Sequence, residues 1–168
     1  MTRPSRLPDD DGVTISAEPV EQADVRALIE ALDQLQRDLY PAESNHFVPI
    51  DVLASESTIF LVARHKGAAI GCGAGLRVTA RDGAADYGEI KRMFVAPAGR
   101  GVGLGARILE ALETALLAEG IAIARLETGI HQPDAIRLYE KCGYRTRGPF
   151  GAYAEDPLSV FMEKTLVR

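Results

Sequence analysis

The 168-residue sequence has little of what marks several large classes of protein. It contains two cysteines, Cys72 and Cys142, without paired spacing, and its three histidines are scattered along the chain. This pattern argues against a disulfide-stapled domain and a zinc site, and it favours a reducing compartment. We therefore expect a cytoplasmic protein that binds no metal.

The chain also lacks long apolar runs and an excess of positive charge. No apolar run reaches the ~20 residues that a membrane-spanning helix needs, and the first 12 residues have no apolar core of a secretory signal. The formal net charge of -5 at pH 7 disfavours nucleic acid as the main partner. Neither Gly-x-Ser-x-Gly nor a Cys/His pair indicates a hydrolase. We expect no membrane and no nucleic acid among its partners.

The rest of the composition is that of an ordinary globular domain. Hydrophobic residues make up 46% of the chain and charged residues 26%, and 168 residues can bury one core. Residues 1–12 carry prolines and charges and are predicted to be a disordered tail. Residues 13–168 are predicted to form a single folded domain.

Hydrophobic periodicity predicts the order of elements in that domain. Alternation predicts strands over residues 13–17, 58–64, 68–79, 88–95 and 121–128, and two closing strands, one from residue 144 and one over 158–166. Helical spacing predicts helices over residues 20–40, 104–120 and 133–143, and a short one over 49–54. The strand, helix and strand between residues 88 and 128 imply a local parallel pair. The pattern predicts an α/β fold with a sheet of mixed direction.

The most informative stretch, residues 88–120, is a strand followed by a glycine-rich turn and a helix. Gly99, Gly101, Gly103 and Gly105 precede or open the helix, and Arg100 lies among them. Glycines let an anion approach the backbone, and the first N–H groups of a helix have no internal partner. The stretch therefore predicts a phosphate-binding turn with Arg100 as an ionic partner.

Two nucleotide-binding motifs compete for this turn. A P-loop ends in Gly-Lys-Ser/Thr, which is absent. The dinucleotide fingerprint G-x-G-x-x-G/A is present over residues 101–106, and Glu127 ends the next strand, where a ribose-binding acid would lie. Pro97 after the strand and the late position in the chain count against it. A dinucleotide-binding module stays open as an alternative.

A third interpretation fits two separate segments. Arg100-x-x-Gly103-x-Gly105 resembles the acyl-CoA pyrophosphate loop of the GNAT superfamily of N-acetyltransferases. Residues 132–144, QPDAIRLYEKCGY, resemble the N-x-x-A-x-x-L-Y-E-K-x-G-F/Y segment of the same family, with Gln132 where asparagine is usual. The resemblance covers residue 59 to the C-terminus.

The resemblance implies a fold and an activity. The fold would be a single domain with a mixed, mostly antiparallel sheet, whose central parallel pair splays to bind acyl-CoA between flanking helices. The activity would be direct transfer of the acetyl group of acetyl-CoA to a primary amine of a small molecule or peptide. A non-catalytic acyl-CoA sensor stays open as an alternative. Homodimers are common in the family, and the sequence leaves the oligomeric state open.

The resemblance also assigns two catalytic residues. Tyr139 matches the family tyrosine that protonates the departing thiolate. Glu89 lies eleven positions before Arg100, as the glutamate base does in the histone-acetylating branch. A charge on a central strand is costly unless it faces a cleft. The alternative is that Glu89 pairs with Lys91 on the same strand face.

Binding residues follow from the same motifs and from the loop after the first helix. The cofactor residues are predicted to be Met93, Phe94, Val95, Arg100, Gly101, Val102, Gly103, Leu104, Gly105, Ala106 and Gln132. The polar loop 40–47 is predicted to line the acceptor pocket through Tyr40, Glu43, Asn45 and His46, together with the segment 150–159. Arg92 is assigned to the solvated surface.

Overall fold

The computed structural model describes residues 12–81 and 83–168, so that the predicted tail, apart from Gly12, lies outside the described residues. The strands are β1 Val13–Ala17, β2 Thr58–His65, β3 Ala68–Val78, β4 Tyr87–Val95, β5 Ile123–Gly129, β6 Arg145–Arg147 and β7 Ser159–Thr165. The helices are α1 Ala23–Leu39, α2 Ile50–Leu53, α3 Leu104–Ala118 and α4 Pro133–Lys141. The predicted order of elements is confirmed, with boundaries that differ by a few residues.

The strands form one seven-stranded sheet in the order β1-β2-β3-β4-β5-β7-β6. All neighbours are antiparallel except the central pair β4 and β5, which is parallel. The predicted fold class is therefore confirmed. Within the part of the chain that the structure describes, no helix is long and apolar enough to cross a membrane.

The central parallel pair is short. Only Gly88, Glu89 and Ile90 of β4 pair with β5, opposite residues 124–126, and the two strands diverge beyond that point. Just after the divergence, β4 breaks register with β3 between Cys72 and Ala74. At this bulge Arg92 has φ 55°, a left-handed backbone that is uncommon for a residue other than glycine. We call the point where β4 and β5 part the fork.

Helices cover both faces of the sheet and bury two cores. Helix α1 packs Val25, Leu28 and Ile29 with side chains of β2 and β3 on one face. On the other face α3 buries an apolar stripe together with residues of β4, β5 and β7; the stripe consists of Leu104, Ile108, Leu109, Leu112 and Leu116. The two layers hold the fork between them.

Glycine allows α3 to lie close against β4. A Cβ atom built on Gly88 would lie 2.5 Å from Cδ1 of Leu116, a side chain that is fully buried. Real Cβ atoms do not approach carbon that closely. Gly88 therefore fixes the spacing between the central strand and the helix that follows the glycine-rich turn.

We expect Gly88→Ala to lower the free energy of unfolding by about 1–3 kcal/mol, because a methyl group must displace Leu116 from a packed core. Urea denaturation of both proteins measures the change. Gly148→Ala is the matched control, since its Cβ would meet no atom within 4 Å. Equal stability of the two variants would show that the helix–sheet spacing is not set at Gly88.

Candidate active site

Two connected openings lie at the fork. The outer groove, of about 600 Å³, runs between the end of β4, the glycine-rich turn and the start of α4. The inner cavity, of about 100 Å³, lies between α1, the loop 44–48, β4 and β5. Both openings are lined by Leu32, Met93, Gln132, Ala135 and Tyr139, and they therefore meet at these side chains.

The glycine-rich turn places an uncapped helix start in the outer groove. Gly101 and Gly103 have φ 83° and 77°, and Gly103 is the N-cap residue of α3 without a side-chain cap. The Nε of Arg100 donates to the Val95 carbonyl at 2.8 Å, which ties the turn to the end of β4. The first N–H groups of α3 thus remain available to an anion, as the sequence predicts.

The outer groove gathers most of the predicted cofactor residues. Its lining includes Met93, Phe94, Val95, Arg100, Gly101, Gly103, Leu104, Gly105, Ala106 and Gln132. Val102 is not among the lining residues and packs instead against the core beneath α3. The amide oxygen of Gln132 accepts hydrogen bonds from Tyr40 Oη at 3.2 Å and Gln36 Nε2 at 3.4 Å, so that α1 orients this side chain.

Tyr139 stands where the two openings meet. It is 7% exposed and packs edge-on against Tyr144, with ring centroids 5.8 Å apart. Burial, with smaller contributions from Cys142 and Glu127, raises the pKa of the Tyr139 phenol. The phenol therefore keeps its proton through the neutral range, as a proton donor must.

Glu127 is the carboxylate of the inner cavity. It is the first residue of β5 beyond the pairs with β4, and one of its oxygens accepts a hydrogen bond from Ser159 Oγ at 3.0 Å. Among the described residues no donor is bonded to its second oxygen. Burial raises the pKa of Glu127 to about 7, against the opposing effects of the Ser159 bond and the Lys91 charge.

Glu89 occupies a different environment. It is not among the residues that line either opening. Its carboxylate accepts a hydrogen bond from Tyr153 Oη at 2.6 Å and lies 3.3 Å from Lys91 Nζ. The Lys91 pairing that the sequence left open is present, and the role of Glu89 as a base stays a prediction.

The loop after α1 contributes part of what was predicted. Tyr40 and His46 line the inner cavity, whereas Glu43 and Asn45 do not. Partial desolvation of the ring, with the charge of Lys91, lowers the pKa of His46 and favours its neutral form. Of the segment 150–159, Leu158 lines the cavity and Tyr153 packs edge-on against His46.

The prediction that Arg92 is a solvated surface residue is wrong. Its side chain is 7% exposed and lines the inner cavity. The guanidinium forms an ion pair with Asp33 of α1, donates to the Val48 carbonyl at 3.0 Å and lies over the Phe47 ring. The bulge in β4 turns this residue inward. No local sequence pattern predicts the bulge.

The left-handed glycine turn, the helix start without a side-chain cap and the parallel strand pair that diverges form the arrangement that the sequence motifs predict for an acyl-CoA-dependent acetyltransferase. Comparison with known proteins agrees. The profile of the Acetyltransferase (GNAT) family matches residues 28–144. The chain belongs to this family of acetyltransferases, as its motifs predict.

Individual relatives extend the likeness over almost the whole chain. The sequence is 50% identical to an IAA acetyltransferase of Azospirillum brasilense over 92% of this chain and 98% of that protein. A solved Klebsiella pneumoniae structure, classed as an acyl-CoA N-acyltransferase, is 40% identical with a TM-score of 0.74 over 92% of this chain and 98% of that one. A Salmonella typhimurium protein, classed as an acetyltransferase and solved with its cofactor acetyl-CoA, shares the fold at 20% identity. Its TM-score is 0.69 over 93% of this chain and 95% of that one.

We expect Glu127→Gln to become more stable than the unmodified protein as pH rises from about 4.5 to 7. The carboxyl has a higher pKa in the folded state than in the unfolded chain, so the folded state holds more protons in this window and loses stability as pH rises. Glutamine carries no charge, so the variant does not lose stability in this way as pH rises. The pH-dependent part of the difference should approach roughly 3 kcal/mol above pH 7.

Urea denaturation of both proteins at pH 5 and pH 8 measures this difference. Glu140→Gln, which changes an exposed carboxyl on α4, is the matched control and should give the same difference at both values. A Glu127→Gln effect that does not change with pH would show that this carboxyl ionises as it does in water.

Proposed function

We propose that the protein transfers the acetyl group of acetyl-CoA to a primary amine of a small molecule or peptide, by direct attack in a ternary complex. The observation that carries this proposal is the junction at Tyr139, where a groove with a phosphate-binding turn meets a separate polar cavity. One opening suits the cosubstrate and the other suits the acceptor.

The outer groove suits the elongated shape of acetyl-CoA. The pyrophosphate would lie on the free N–H groups that open α3, where the helix dipole favours negative charge. The pantetheine arm would follow residues 93–95, where β4 has lost its parallel neighbour, and would pair with the backbone like an added strand. The thioester would then reach the junction at Tyr139.

Direct attack is favoured because the cysteines are poorly placed for an acyl-enzyme. Neither Cys72 nor Cys142 lines the inner cavity. Burial raises the pKa of Cys72 to about 12 and raises that of Cys142, so both thiols stay protonated at neutral pH. The amine nitrogen is the remaining nucleophile.

Tyr139 is the proposed acid for the leaving group. When the C–S bond breaks, the thiolate of CoA forms beside the phenol, which donates a hydrogen bond and then its proton. An unperturbed phenol and thiol differ by about 2 kcal/mol in this transfer, and burial of Tyr139 adds to that cost. The hydrogen bond to the developing thiolate is therefore the larger part of its contribution.

The inner cavity limits the size of the acceptor group that can reach the junction. A volume of about 100 Å³ holds the amine end of an acceptor. The rest of a longer acceptor would extend into solvent past His46 and Phe47, which are exposed. The name of the Azospirillum relative makes IAA one compound to test beside primary amines. The acyl-CoA sensor remains the second candidate if no acceptor is found.

We expect calorimetric titration to show micromolar binding of acetyl-CoA and no binding of NAD, because Glu127, the candidate ribose-binding acid, lines the inner cavity and not the groove beside the glycine-rich turn. Binding of NAD alone would contradict the proposal and assign residues 101–106 to a dinucleotide turn. Binding of neither would leave the glycine-rich turn a structural element.

We expect Tyr139→Phe to lower kcat at least ~100-fold, because the thiolate loses its proton donor, while the affinity for acetyl-CoA changes little. Release of free CoA thiol measures the rate. Tyr144→Phe is the matched control: this hydroxyl donates to Glu113 at 3.1 Å on the far side of the aromatic pair. It should lower stability and leave the rate intact. An unchanged rate in Tyr139→Phe would remove this residue as the acid.

A further inference from the structure

We propose that Glu127 is the general base that takes the proton from the acceptor amine. This inference rests on the proposed function, and it names a residue other than the one that the sequence predicts. A primary ammonium group has a pKa near ~10.4, so that losing its proton at pH 7 costs roughly 4–5 kcal/mol. A carboxylate next to the nitrogen removes much of that barrier.

The fork sets the position of Glu127. Pairing between β4 and β5 ends at Ile90 and Leu126, and Glu127 is the next residue of β5. Its backbone is therefore at the point where the sheet opens, and its side chain lines the same cavity as Tyr139. The proposed base and the proposed acid thus face one small volume, in which the nitrogen and the thioester must meet.

The hydrogen bonds of Glu127 leave it free to act. Ser159 binds one carboxylate oxygen and fixes the group, whereas no described residue donates to the other oxygen. Glu89 differs in its ion pair and in its position. Its carboxylate is bonded to Tyr153 and paired with Lys91, outside the cavity lining. The lysine beside its carboxylate and its position outside the cavity lining separate Glu89 from an amine held in the cavity.

The charges around Glu127 come from every element that packs against it. Strand β4 contributes Lys91, Glu89 and Arg92, helix α4 contributes Tyr139, and the remaining groups are Tyr40 after α1, His46 in the loop, and Tyr153 and Asp156 before β7. Lys91 lowers the pKa of Glu127, while Glu89 and Asp156 raise it. Burial is the largest effect, and the resulting value of about 7 lies near the working pH of a base.

The proton balance of the reaction follows. The acceptor ammonium gives one proton to Glu127, which later releases it to solvent. The free nitrogen forms a bond to the thioester carbonyl carbon, and the C–S bond breaks. Tyr139 gives its proton to the CoA thiolate and regains one from the second N–H of the attacking nitrogen. The products are the amide and CoA thiol, and no other reactant is needed.

The kinetic test compares Glu127→Gln with Glu89→Gln, and Glu140→Gln is the exposed control. Thiol release is followed from pH 5.5 to 9 with acetyl-CoA and a panel containing putrescine, spermidine, an amino-sugar antibiotic and Nα-acetyl-lysine amide. We expect Glu127→Gln to lower kcat/KM about 10²–10⁴-fold at pH 7. It should also remove the limb of the pH profile with a midpoint near 7. Acetyl-CoA affinity, measured by calorimetry, should change less than ~3-fold because the groove is unaltered.

The inference is overturned if Glu127→Gln keeps both its kcat/KM and the part of the pH profile with a midpoint near 7. If Glu89→Gln alone loses both, the base is Glu89. Failure of the unmodified protein to bind acetyl-CoA is a different result, since it overturns the proposed function itself. The two failures are therefore distinguishable.

A spectroscopic titration needs no acceptor at all. In protein labelled with ¹³C at the glutamate carboxyl carbons, the signal lost in Glu127→Gln identifies this residue. We expect that signal to titrate near pH 7. This titration tests the inference even if acetyl-CoA binds and no amine of the panel reacts. A midpoint near ~4.3, the pKa of an unperturbed glutamate, overturns the inference that Glu127 is the base.

Discussion

The site depends on the early parting of β4 from β5. Three residue pairs join the strands, and the bulge at Arg92 then directs β4 away. A left-handed backbone costs roughly 1–2 kcal/mol for a residue with a Cβ atom, so the surroundings must hold it. Cys72 Sγ donates to the Arg92 carbonyl at 3.3 Å, and Asp33 and the Val48 carbonyl bind the guanidinium. The same contacts that stabilise the bulge therefore anchor α1 and the loop that covers the inner cavity.

The fork also separates two carboxylates, Glu89 of β4 and Glu127 of β5. Before it, Glu89 is in register with Arg125 of β5, and one of its carboxylate oxygens accepts a hydrogen bond from Tyr153 and lies 3.3 Å from Lys91 Nζ. Two residues beyond Arg125 on β5, Glu127 has β7 on one side and no paired residue of β4 on the other, and among the described residues Ser159 is the only donor to its carboxylate. Burial raises the pKa of Glu127 and outweighs the opposing effect of the Ser159 bond. The raised pKa thus arises where β5 has passed its last residue paired with β4.

Most of the fold could be predicted from the sequence because it depends on local patterns. Alternation, helical spacing and the glycine-rich turn are properties of neighbouring residues, and the segment 132–144 has a spacing of its own. The environments of Glu89 and Glu127 depend instead on Tyr153 and Ser159, which lie 64 and 32 positions away. The inward turn of Arg92 depends on a bulge that no residue type encodes. The sequence places Glu127 at a strand end, and only the fold shows what surrounds it.

The two openings meet only at the junction near Tyr139, and this arrangement constrains the order of events. A molecule in the outer groove and one in the inner cavity do not compete for space, because the shared lining consists of a few side chains at the point of contact. On the proposed function, both substrates are then bound before any bond breaks. The nitrogen approaches from the side of Glu127 and the sulfur departs on the side of the groove. Glu127 consequently takes the first proton of the ammonium on the side of the inner cavity, and Tyr139 at the junction gives a proton to the sulfur and regains one from the nitrogen.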